Sequence, residues 1–64
     1  MLSKEDYKNY LDQIIQLENR MAYAYKECAD KAEEGFVKKT CINLSNAEAQ
    51  HVLMVKELIN LFNL

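Results

Sequence analysis

The stretch "KAEEGFVK", residues 31–38, decides whether this chain is one long helix or two. Before it, Tyr7, Leu11, Ile14, Glu18, Met21, Tyr25, Cys28 and Ala32 follow one another at alternating steps of four and three. That spacing keeps every member on one side of a helix and makes a heptad seam. After it, Val37, Cys41, Leu44, Glu48, His51, Val55, Leu58 and Phe62 repeat the pattern. The step from Ala32 to Val37 is five, which a continuous heptad does not absorb. Gly35, the single glycine of a chain without proline, is placed to take the left-handed conformation that ends a helix. The fold read from this pattern is all-α: an antiparallel hairpin with a helix over residues 3–33, a turn around 34–36 and a helix over 37–62. Each helix would be about 40–45 Å long at ~1.5 Å per residue. One continuous helix is the weaker alternative.

The two seams match when folded onto each other. Antiparallel helices joined by a tight turn pair residues whose numbers have a constant sum, and here every seam pair adds to 69. Tyr7 meets Phe62, Glu18 meets His51, and Cys28 meets Cys41. The first helix also has a start signal, with Ser3 as N-cap and Asp6 three residues on. Leu2 and Tyr7 stand where a hydrophobic staple would be.

Two helices do not cover the apolar surface these patterns imply. Ile15, Leu17, Ala22, Ala24 and Ala29 flank the first seam, and Ala47, Val52, Met54, Ile59 and Leu61 flank the second. A stripe so wide suits a four-helix bundle, which one hairpin makes only as a homodimer. Tyr23, Ile42 and Leu53 fall outside the stripe and leave a higher oligomer of dimers open. Sixty-four residues make one small domain, and chains of this size commonly need a disulfide, a metal or a partner.

Composition narrows the classes further. A net charge of −2 with 28% charged residues supplies no basic field for nucleic acid. No apolar run approaches the roughly 18 residues of a membrane span, and no signal-peptide pattern opens the chain. The two cysteines are not a C-x-x-C pair, which excludes a rubredoxin-type or zinc-ribbon site. A reduced, cytoplasmic protein is the expectation.

The seams contain one chemical anomaly. Glu18, Glu48 and His51 occupy positions that should be buried, in adjacent layers at mid-hairpin. Buried charges are paired or coordinate metal, because an isolated one costs too much desolvation. A single buried glutamate could merely set register. Three converging groups, two of them as Glu-x-x-His on one helix, point to a metal. One hairpin offers two carboxylates and an imidazole; a dimer offers twice that, a set that holds two ions. Carboxylate-rich ligation with one imidazole per ion suits iron or manganese better than zinc. Because the three residues lie midway along the helices, a twofold axis through the middle brings both half-sites together.

"LENRMAYAYKECA", residues 17–29, followed by "LSNAEAQHVLMV", residues 44–55, resembles the metal-binding hairpin of the ferritin-like superfamily. Its spacing is most similar to the encapsulated ferritins, in which each subunit is half a ferritin bundle. The resemblance spans nearly the whole chain. It implies a ferroxidase centre between two subunits, with Glu18, Glu48 and His51 as ligands to two iron ions per dimer. It also matches Tyr25 to a tyrosine beside that centre, where a hydroxyl bonded to a ligand carboxylate is its expected role. Members are enclosed by an encapsulin shell through a C-terminal tail, whereas this sequence ends at "LINLFNL". They also place further acids beside the first-helix ligand, where this chain has Leu17, Asn19 and Arg20.

The function expected is therefore oxidation of Fe(II) by oxygen or peroxide. The rival enzyme reading is a rubrerythrin-like peroxide reductase, for which no Cys-rich electron-donor module is present. The non-catalytic rival is a structural hairpin whose polar layer only fixes register. Tyr25 can equally be a core tyrosine. Cys28 and Cys41 read first as small buried hydrophobes, with a disulfide tying the turn end as the alternative. Met21 and Met54 read as core fillers.

Overall fold

A computed structural model describes residues 1–63. Helix α1 spans Lys4–Lys31 and α2 spans Gly35–Leu61. They pack side by side as an antiparallel hairpin measuring 48 × 15 × 15 Å. No strand interrupts them among the described residues.

The start of α1 is the capping box that its sequence spells. The Asp6 amide donates to Ser3 Oγ and the Ser3 amide donates to Asp6 Oδ2, both at 3.1 Å. Two of the N–H groups that a helix start leaves without partners are satisfied in this way, while Glu5 and Asp6 face the positive end of the helix dipole. A surface pair, Lys31 to Glu27 at 2.7 Å, supports the last turn.

The turn differs from its expected form. Gly35 does not end a helix in a left-handed conformation; it opens α2, and its φ is not positive. The chain reverses through residues 32–34, with Ala32 and Glu34 both extended. Two extended residues turn the backbone as effectively as one left-handed glycine, and any amino acid adopts them. The turn therefore lies two residues earlier than the heptads suggested: α1 stops at Lys31 and α2 already begins at Gly35.

The register is the one in which residue numbers add to 69. Tyr7 stacks on Phe62 at the open end with ring centroids 6.2 Å apart, and Glu18 touches His51 at mid-length. Within that register the helices are rotated relative to expectation. The most buried apolar residues are Ala29, Cys41 and Val52, of which Ala29 and Val52 were expected to flank the seam. Ile14, Leu44 and Leu58, expected at its centre, remain exposed. The cause is the width of the stripe: two helices cover only half of it. They choose the half where small side chains let the backbones approach. Ala22, Ala29 and Ser45 line that half, and the Ser45 hydroxyl donates to the Ala22 carbonyl across the interface at 3.1 Å.

The other half of the stripe is left open. Tyr7, Tyr10, Ile14 and Leu17 on α1 lie exposed beside Leu44, Met54, Leu58 and Leu61 on α2. At the helical repeat these residues form one continuous face along the hairpin. Only four described residues are at least nine-tenths buried, and one of those is Glu48. A core so small does not offset the conformational entropy of ordering the chain.

Candidate metal centre

Glu18 projects from the middle of α1, and Glu48 and His51 from the middle of α2, one turn apart. His51 Nδ1 lies 3.3 Å from Glu18 Oε2 and 3.7 Å from Glu48 Oε2. One donor atom from each of the three residues falls within 4.8 Å of the other two. All three residues singled out as ligands in the sequence are thus brought together.

The local sequence explains why. Glu48 and His51 are three apart and share a helix face. Ser45, one turn before Glu48, is the hydroxyl that binds α2 to the α1 backbone and so fixes how far Glu48 stands from Glu18. Sequence reasoning missed Ser45. Its signal was the small residue it provides opposite Ala22, a pairing outside the heptad seam.

Burial grades across the group. Glu48 is only 9% exposed, and its Oε2 is buried with no hydrogen-bond partner. The Glu18 side chain is 20% exposed and the His51 side chain 52%. A buried carboxylate oxygen without a hydrogen bond forfeits hydration, and the His51 ring 3.7 Å away offsets that loss only in part. A cation held among Glu18, Glu48 and His51 would satisfy it. His51 opens onto the uncovered apolar face, so a second copy placed there would enclose the group.

The donor set fits a cation of the first transition series. Carboxylate oxygen and imidazole nitrogen bind such ions at about 2.0–2.2 Å, so ligand atoms around one ion lie up to about 4.4 Å apart. The present donor atoms lie within 4.8 Å of one another, slightly wider than that. Three donors leave coordination positions unfilled, which a partner's carboxylate or a small molecule can take.

Tyr25 is half-buried on α1, seven residues beyond Glu18, or about 10.5 Å along the axis. Its hydroxyl makes no hydrogen bond among the described residues.

Comparison with known proteins leaves the geometry to speak for itself. No family model, no curated protein and no solved structure matches this chain. No helix among the described residues is long and apolar enough to cross a membrane.

Proposed function

We propose that two copies pair through their open apolar faces into a ferritin-like four-helix bundle that oxidises Fe(II) to Fe(III). The observation that carries this reading is the unpartnered, buried Glu48 Oε2 beside a second carboxylate and an imidazole. That oxygen makes no hydrogen bond, and His51 Nδ1 stands 3.7 Å from it, a separation that supports a shared cation over a register-setting hydrogen bond.

The dimer would gather four carboxylates and two imidazoles, from Glu18, Glu48 and His51 of each chain. Four carboxylates carry four negative charges, which balance two Fe(II) ions. Anionic oxygens at short range favour the more highly charged Fe(III) by Coulomb attraction, more strongly in a water-excluded bundle than in bulk solvent. Iron is the substrate: each of two Fe(II) ions gives up one electron. Dioxygen accepts both with two protons and becomes hydrogen peroxide, or hydrogen peroxide accepts them and becomes two waters. Glu18, Glu48 and His51 of each chain would hold the iron, the carboxylates supplying anionic oxygens and His51 a neutral nitrogen donor. The apolar residues around them keep water out. Manganese is the other metal the donors suit.

Anaerobic titration of Fe(II) into metal-free protein tests the reading. The expected endpoint is one iron per chain, followed by oxygen consumption when air is admitted. Glu48→Ala and His51→Ala should each abolish both. Wild-type protein that takes up no iron, or variants that consume oxygen as fast as wild type, would overturn it. Turnover with peroxide and an added reductant, exceeding turnover with Fe(II), would assign the centre to peroxide reduction instead.

A further inference from the structure

Toward the turn from the carboxylates, the same register brings Cys28 level with Cys41. Contacts on one side fix that register, at Tyr7–Phe62 and Glu18–His51, and the short turn fixes it on the other. The helices are drawn close in this region by Ala22, Ala29 and the Ser45 hydroxyl on the Ala22 carbonyl. Both cysteines are free thiols; Cys28 is exposed and Cys41 is buried. A hydrogen bond with the Cys28 thiol, then burial, then the charge of a Cys28 thiolate push the Cys41 thiol above its ordinary range. Cys28 and Cys41 occupy the same heptad positions as the stacked Tyr7 and Phe62, so side-chain rotation is the movement that would bring their sulfurs toward the ~2.05 Å of a disulfide.

We propose that Cys28 and Cys41 are a redox dithiol that reduces hydrogen peroxide and closes a disulfide across the turn end of the hairpin. The asymmetry of the pair assigns the roles. Cys28, exposed on the single hairpin, is the attacking sulfur, and Cys41, buried, is the resolving thiol. In the first step Cys28 sulfur bonds to one peroxide oxygen and the O–O bond breaks. A sulfenic acid forms, and the other oxygen leaves as water with the proton that Cys28 gave up. In the second step Cys41 sulfur attacks the Cys28 sulfur and the S–O bond breaks. The remaining oxygen leaves as water with the Cys41 proton. Peroxide gains two electrons and the two sulfurs lose them. An external dithiol returns the pair to its reduced form. The proposal rests on the iron-oxidation reading only for the source of peroxide, which dioxygen reduction at the neighbouring centre would release.

The test uses the full-length, metal-free, reduced chain and one equivalent of hydrogen peroxide. Free thiols should fall from two per chain to none, with an intact mass lower by two hydrogens and no covalent dimer. Trypsin should then yield fragments 27–31 and 40–56 joined through Cys28 and Cys41, and the thermal midpoint should rise by roughly ten degrees until reductant is added. Cys41→Ser should leave Cys28 as a sulfenic acid that a 1,3-diketone probe captures. Cys28→Ser, at an exposed position, keeps the fold and should leave Cys41 unoxidised over the same time. Two free thiols after peroxide treatment, or a cross-link between chains, would overturn the proposal. Closure on added peroxide but not on Fe(II) with oxygen would uphold the dithiol and remove the iron centre as its peroxide source.

Discussion

Ser45 and Ala22 are joined side chain to main chain across the two helices, by a hydroxyl that donates to a carbonyl at 3.1 Å. This bond sits one turn from Glu48 and sets the separation of the helices where the carboxylates converge.

Ser45→Ala should cost about 1 kcal/mol in urea unfolding through the lost hydrogen bond, with little change in metal uptake. Ser45→Leu should cost more, about 1–3 kcal/mol, because extra carbons push the backbones apart. It should also weaken iron binding, because Glu48 moves with α2. If the leucine variant unfolds like wild type, the close approach is not what holds the hairpin.

Glu48 should be a liability without metal. Replacing it by leucine removes the unpartnered oxygen, so metal-free Glu48→Leu should be more stable than metal-free wild type by about 1–3 kcal/mol. Adding Fe(II) anaerobically at ~100 times its dissociation constant should stabilise wild type by about 2.7 kcal/mol and leave the variant unchanged. The order of stability would then reverse with metal. A variant less stable than wild type in the absence of metal would show that Glu48 has a partner within the protein.

The hairpin, its capping box and its register were legible in the sequence, because each depends on local spacing: Ser3 to Asp6, heptad steps, and a constant sum about the turn. The meeting of Glu18, Glu48 and His51 follows from the same arithmetic. The rotation of the helices was not legible. Periodicity locates an apolar stripe, but a stripe wider than one partner can cover does not say which half faces inside the chain. Side-chain size settles that, and the small residues Ala22, Ala29 and Ser45 prevail over Ile14, Leu44 and Leu58. Gly35 misled for a related reason: its permissiveness allows a left-handed cap without requiring one, and two extended residues did the turning.

Pairing of copies should be visible as an oligomer in sedimentation, with a melting temperature that rises with protein concentration. Leu17→Lys and Met54→Lys place charge on the open apolar face and should yield monomers of much lower stability. Tyr23→Lys, an exposed position off that face, should leave the oligomer intact and serves as the control. Wild-type protein that stays monomeric at ~100 µM, well above ordinary dimer dissociation constants, would remove the bundle and the shared centre with it.

Alkaline pH should loosen the turn end through Cys41. Its thiol is raised above the ordinary 9.0 by the Cys28 hydrogen bond, by burial and by the Cys28 charge, so the folded chain binds that proton more tightly than the unfolded chain does. Stability from this group is therefore fully present below pH 9.0 and is lost as pH climbs through the raised value. The informative quantity is a difference between variants. In the presence of reductant, unfolding free energy between pH 8 and 10.5 should fall more steeply for wild type than for Cys41→Ala. Cys28→Ala removes the two Cys28 causes and leaves burial alone, so its slope should lie between the others. Parallel profiles for all three proteins would mean that the thiols do not sense each other across the helices.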